Sequence, residues 1–406
     1  MTHATRFTVA ALVGFVLIGC QGASGTETLG GVASTKSGIL TTQSARIPVP
    51  GRNYITLYST NPRGKLGAQV GVQAIREDGS AVIVNTPLAG PGEFLTQSQV
   101  GIQRGQSRTW FSAETSAQPR QVIQIAAHGQ SIVWLETKST DLYFQDWRFF
   151  SGISGKSKPI LLADSYSLLK TDQIPYPPGV TTLTTDGVNA WWTMVYPTKK
   201  APRGWATRIM VRDVSAHHPL KIAVVGAMLP VAIPQGLIYV REKMVDPSMA
   251  SNLYEIRLLK NGVDTLISSG SLVKDEAVLS ICASNTVLAW AVHSPSPTRQ
   301  SPGITTGGRL HVMTLATKVQ RIVALDDPAW GLSLGCGTNF VAWGNGSGNG
   351  DPGQYVMTVP SAKIFQVGSS RGISMVHVAD NILAWTLPPK SAQEAARWEV
   401  AKWQGV

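Results

Sequence analysis

The chain is short of cysteine, of charge and above all of acid. Among 406 residues there are three Cys, and Asp and Glu together number 24 against 35 Lys and Arg, a formal net charge of +11. Three cysteines exclude a disulfide-framed scaffold and any domain organised by a multi-cysteine metal cluster. Only 15% of residues are charged while 43% are hydrophobic, which excludes a disordered chain. After the first twenty residues no stretch reaches 18 apolar residues, so nothing later reads as a membrane-spanning helix. Long helical periodicity is also missing. Val, Ile, Thr and Trp are plentiful instead, and 40 Gly with 24 Pro mark many turns, so the body reads as all-β.

The start of the chain carries a separate signal. Arg6 precedes residues 7–18, which are apolar or small apart from Thr8. That run is about half the length of a bilayer-spanning helix and fits the apolar region of a secretory signal peptide. It ends in Leu17-Ile18-Gly19-Cys20, which resembles the lipobox of bacterial lipoproteins. The resemblance implies that residues 1–19 are removed and that Cys20 is acylated. It also implies an exported protein anchored at the outer membrane or on the outer face of the cell membrane. Two or three acyl chains anchor stably where one does so only marginally. Residues 21–45 are rich in Gly, Ser and Thr and read as a tether between lipid and body.

The body, 46–406, is organised by a repeat. A turn residue is followed by a short apolar strand that usually contains Trp: Trp134, Trp192, Trp290, Trp343 and Trp385, with a degenerate copy ending at Val240. Successive copies lie 42 to 58 residues apart. That spacing suits four-stranded propeller blades, and no helices intervene. In the copy around Trp290 the four strands read as 278–283, 286–293, 309–315 and 318–324. The pattern resembles the TolB-like and WD40-like β-propellers of exported bacterial proteins. It lacks the Trp-Asp dipeptide of WD40 repeats and the Asp-rich strand motif of TolB-type repeats. The last copy has three strands, at 373–378, 382–387 and 397–403. A fourth is expected from the N-terminal region to close the ring and remove its edges. The repeat blades occupy 119–406, and 46–118 holds the closing strands or an extra blade. Six blades are favoured and seven are possible. Residues 391–394 are read as a loop rather than a capped helix.

Functional residues are harder to name. Connections between second and third strands are long, at 197–206, 244–251, 294–308, 344–353 and 388–396, and in a propeller these share one rim. The first is basic: Lys199, Lys200 and Arg203, followed by Arg208 and Arg212, with Tyr196 and Trp205 beside them and Arg241 and Lys243 near the next. Such a cluster suits an acidic polymer or an acidic envelope protein. Cys282 and Cys336 fall on near-equivalent inner strands of adjacent blades, offset by one residue; they read as a disulfide or as two buried thiols. No nucleophile elbow, His-Glu-x-x-His or Cys-x-x-Cys-His marks a catalytic centre. His217-His218 is a poor metal pair, because neighbours on a strand point to opposite faces. His128, His293 and His377 read as structural. Asp186, Asp326, Asp327 and Asp351 are the carboxylates open to glycoside chemistry. Two readings follow: a tethered binding or scaffold propeller, and an exported polysaccharide-active enzyme with its site at the channel mouth. Nucleic acid, metal and cofactor are not implied. A channel mouth lined by converging Asp, Glu, His or Tyr favours the enzyme, and one lined by Gly, Ser and apolar residues favours the binder.

Overall fold

The computed structural model describes residues 39–61, 70–87, 96–112, 119–138, 147–165, 182–199, 205–244, 252–272, 276–295, 305–325, 332–345, 353–369, 375–388 and 397–405. They form 28 strands in seven four-stranded antiparallel sheets. The first strand, β1 (Tyr54–Thr60), is set aside for the last sheet. Blade 1 is β2–β5 (Val70–Ile75, Ala81–Asn85, Gln99–Arg104, Ser107–Trp110) and blade 2 is β6–β9 (Gln121–His128, Ser131–Thr137, Arg148–Ile153, Ile160–Asp164). Blade 3 is β10–β13 (Leu183–Thr185, Asn189–Pro197, Trp205–Asp213, Lys221–Val225). Blade 4 is β14–β17 (Met228–Ile233, Gly236–Met244, Asn252–Lys260, Val263–Leu272), and blade 5 is β18–β21 (Ala277–Ala283, Val287–Pro295, Thr305–Thr314, Gln320–Leu325). Blade 6 is β22–β25 (Leu332–Cys336, Phe340–Asn345, Gly353–Thr358, Ile364–Ser369). Blade 7 combines β26–β28 (Val376–Ala379, Ile382–Leu387, Arg397–Trp403) with β1, in the order β1-β28-β27-β26.

The first strands of successive blades touch in sequence, and β26 touches β2, so the ring is closed. The seal is β1 on β28, running from Tyr54 opposite Trp403 to Thr60 opposite Trp398. An N-terminal strand therefore supplies the fourth strand of the last blade, as expected. The count of six does not hold; there are seven blades, because residues 70–110 form a complete sheet besides the closing strand.

Blade 1 escapes the repeat for a packing reason. Three residues into the second strand, Trp134, Trp192, Trp290, Trp343 and Trp385 each sit almost fully buried. Each packs toward the preceding blade, as Trp343 does among Val287, Ala289, Leu310 and Val312 of blade 5. A Trp buried this way removes ~150–250 Å² from water, an upper estimate of about 4–6 kcal/mol at ~25 cal/mol/Å². In blade 4 the wedge is Tyr239, which packs on Ile209 of blade 3, whereas Val240 faces blade 5; the degenerate copy is off by one residue. In blade 1 the same face is filled by Ile83, against Ala384 and Trp398 of blade 7. An aliphatic wedge leaves no tryptophan to count.

Ahead of β1 the chain forms a strap across two outer edges. The Leu40 N–H donates to the Ile322 carbonyl (2.9 Å) and the Leu40 carbonyl accepts from the Ala324 N–H (2.8 Å), on β21. Arg46 does the same on β25, with Ile364 (2.9 Å) and Gln366 (2.8 Å). Free strand edges are templates for unwanted pairing, and the strap occupies two of them. Among the described residues the first such pairing is at Leu40, inside the segment read as tether.

Candidate functional site

The wall of the channel is built by the seven first strands. Their sequences are VGVQAI, QVIQIAAH, LTT, MLPVAI, AVLSICA, LSLGC and VHVA, without a single Asp, Glu, Lys, Arg or Tyr. Both histidines among them are engaged. His128 Nδ1 lies 2.8 Å from Glu77 Oε1, and the His377 ring stacks on Trp398 with centroids 5.2 Å apart. Ile123, at the bulge in β6, is 36% exposed. Among the described residues, these first strands therefore bring no Asp, Glu, Lys, Arg or Tyr to the channel wall.

Antiparallel order puts the first-to-second and third-to-fourth turns of every blade on one face, and the second-to-third and blade-to-blade connections on the other. The turn face is tied down by side chains. Arg76 Nε donates to the Gly129 carbonyl (2.9 Å), and the Gly129 N–H donates to Glu77 Oε2 (3.1 Å), joining blades 1 and 2. The hydrogen bond from His128 to Glu77 raises the His128 pKa, partial burial lowers it, and the charges of Glu77 and Asp186 add to the rise, leaving it above its ordinary value. Burial pushes Glu77 up, but hydrogen bonds from His128 and backbone N–H groups outweigh it, and its pKa ends below the usual range. Ser131 Oγ donates to the Gly187 carbonyl (2.7 Å), continuing the chain to blade 3. Asp186 Oδ1 accepts from the N–H groups of Val188 (2.8 Å) and Asn189 (2.7 Å), so this carboxylate caps a turn. Asp213 accepts likewise from the N–H groups of His217 (2.9 Å) and His218 (2.8 Å), which explains the His doublet as part of a capped turn.

The opposite face carries the sequence-predicted binding residues, and the structure divides them. Tyr196 and Arg208 come together: Arg208 Cζ lies 4.6 Å from the centroid of the Tyr196 ring. Burial lowers the Arg208 pKa, with Tyr196 acting the other way. Arg208 Nε is buried with no hydrogen-bond partner among the described residues. This pair is on the blade 2 side of blade 3, with Met194 and Met210. Arg241 is elsewhere. It lies 3.9 Å from Asp264 and over the Tyr239 ring, at 5.7 Å, on the side of blade 4 that faces blade 3. Arg212 is spent on the turn face, on the carbonyls of Leu162, Ala216 and His218. Lys199, three residues after Tyr196, is exposed. Lys200 and Arg203 lie outside the described residues, as do Cys20, Asp326, Asp327, Asp351 and the loop at 391–394. For Trp205 and Lys243 the backbone alone is described, each paired within its sheet.

Cys282 and Cys336 Sγ atoms are 2.04 Å apart, with Cα atoms at 5.4 Å. The one-residue offset is what brings them together. Side chains at equivalent positions point the same way round the ring: Cys282 points forward to blade 6, and its counterpart Gly335 points forward too, where a Cβ would meet Val378 of blade 7 at 2.6 Å. Moving one residue reverses the direction, so Cys336 looks back at Cys282.

Two features escaped the sequence reading. The strings Gly331–Gly335 and Gly368–Gly372 both spell Gly-x-Ser-x-Gly. Ser333 lies within β22 and its Oγ accepts the Val376 N–H (2.9 Å), with a strand following rather than a helix, so it is not a nucleophile elbow. Ser370 lies outside the described residues. The second feature is Glu276, buried just before β18, whose two oxygens accept from Arg309 Nη2 at 3.0 and 2.9 Å. No local pattern in the sequence announces a pair 33 residues apart.

No known family matches the chain in sequence, and no curated protein does either. Peptidases are among its solved structural neighbours. The acylaminoacyl peptidase of Pyrococcus horikoshii aligns with a TM-score of 0.51 at 9% identity, over 85% of this chain and 52% of its own. A puromycin-hydrolysing peptidase of Mycobacterium tuberculosis aligns over 84% and 53%, at 14% identity and a TM-score of 0.48. The β-propeller domain of the Trilobed protease from Pyrococcus furiosus aligns over 86% and 94%, at 8% identity and a TM-score of 0.47. The chain spans about half the length of the first two. At such identities the likeness is one of fold.

Proposed function

We propose that this chain is a lipid-tethered, extracytoplasmic binding propeller. It docks an envelope protein or an acidic polymer through the face that carries the second-to-third-strand connections. The observation that carries the reading is the composition of the channel wall: the seven first strands have no Asp, Glu, Lys, Arg or Tyr, and their two histidines are held by Glu77 and Trp398, so the described wall brings no acid–base pair together for hydrolysis or elimination of a polysaccharide. Arg208 with Tyr196, and Lys199 nearby in sequence, supply charge and an aromatic surface at blade 3 for an acidic ligand. The test is affinity capture from envelope extracts with the acylated protein, repeated with the 197–206 connection shortened and with Arg208→Gln. Both changes are expected to lose the captured partner while a change on the turn face, Asp186→Asn, keeps it. Retention of the same partner after both changes would remove the case for this face. Turnover of an envelope polysaccharide by the purified protein would reverse the choice between binder and enzyme.

A further inference from the structure

The strap and β1 present a surface unlike the rest of the ring. Ile39, Ile47, Val49, Ile55 and Leu57 are 46–75% exposed. Scattered exposed apolar residues are ordinary, but these five fall within nineteen residues. Arg46 and Arg52 are exposed among them, and no Asp or Glu occurs from Ile39 to Thr60. The blades beneath add exposed Lys318, Val319 and Lys363 close to the strap's pairing sites on β21 and β25, and exposed Lys402 opposite Ile55. Glu399, opposite Ser59, and Asp78, next to the Gly79 that meets Leu57 and Tyr58, are neighbouring acids.

We propose that this outer edge, spanning blades 5 to 7, is a docking surface for an anionic lipid bilayer. Apolar side chains flanked by Arg and Lys are the chemistry of an interfacial membrane contact: the apolar groups enter the headgroup boundary and the cations meet lipid phosphates. The length of chain ahead of the strap favours this occupant. Eighteen residues separate Cys20 from Ile39, and a Gly/Ser-rich linker of that length has a root-mean-square reach of roughly 23 Å. An acylated Cys20 would hold this edge against the membrane; that orientation rests on the tether proposed above, whereas the surface chemistry does not.

The experiment uses residues 21–406, which contain every described strand and lack both leader and lipid. Sedimentation with phosphatidylcholine vesicles containing 30% phosphatidylglycerol is compared with sedimentation with phosphatidylcholine alone. Binding to the anionic vesicles, weakened by 0.5 M salt, is expected. The variant Arg46→Gln, Ile47→Ser, Val49→Ser, Arg52→Gln is expected to bind about tenfold more weakly at an unchanged melting temperature, since each cation near an anionic surface contributes several-fold. Absence of binding to anionic vesicles, or equal binding by the variant, overturns the proposal. A wild-type dimer that the variant dissolves, without vesicle binding, assigns the edge to a second copy and also overturns it. If vesicle binding holds but labelled fatty acid fails to enter Cys20 in cells, the tether reading falls and this one stands.

Discussion

The bridge between Cys282 and Cys336 allows a sharp test of the ring. It closes a loop of 54 residues between the first strands of blades 5 and 6. Constraining the unfolded chain over that separation is worth about 4 kcal/mol in the loop-entropy treatment. The unfolding entropy is roughly 2.1 cal/mol/K per residue, or ~0.6 kcal/mol/K for the roughly 270 described residues, so removing the bridge should lower the melting temperature by about 7 °C. The assay is calorimetry on the wild type, on the Cys282→Ala/Cys336→Ala variant and on the wild type with a reductant. Variant and reduced wild type should fall together, and denatured, unreduced wild type should show neither thiol to a thiol reagent. A double variant melting within about 1 °C of the unreduced wild type would refute the argument. So would two titratable thiols in the unreduced chain.

Three further expectations follow from groups held between or within blades. Burial lowers the pKa of His293 to about 4, and burial with Arg309 nearby does the same for His311. In the unfolded chain both take up protons near pH 6.5, so stability should fall as pH drops from 6.5 toward 4, by at most about 3 kcal/mol for each. Urea titrations at pH 7.5 and 4.5 measure the loss, and His311→Gln should reduce it. At the seam of blades 1 and 2, NMR titration should find His128 above its ordinary pKa and returning toward it in Glu77→Gln. The interaction should weaken as pH rises through that raised value, or falls through the lowered one of Glu77. Trp343→Ala should cost about 3–5 kcal/mol in denaturant titration, because the side chain is fully buried between blades 5 and 6.

Much of the architecture was legible because one large side chain recurs where blades meet. Trp134, Trp192, Trp290, Trp343 and Trp385 set the period, and the period set the fold. Legibility ended where the same space is filled by different chemistry: Tyr239 shifted the register of one copy, and Ile83 hid a whole blade. The binding cluster was less legible. Tyr196, Arg208 and Arg241 are close along the chain, but blade 3 stands between them, and strand alternation decides which gap each side chain enters. Glu276 with Arg309 and Arg76 with Gly129 join residues that only the ring brings together.

Sealing the ring with β1 on β28 has a consequence for how the molecule is made. Tyr54 must wait for Trp403 to be synthesised before it can pair. Every other blade completes itself from contiguous sequence, so six sheets can assemble in order while the seventh stays open. The last join spans nearly the entire polypeptide, the slowest kind of contact to form. A chain that loses its final ten residues would forfeit β28 and leave β1 with an unpaired edge beside the strap.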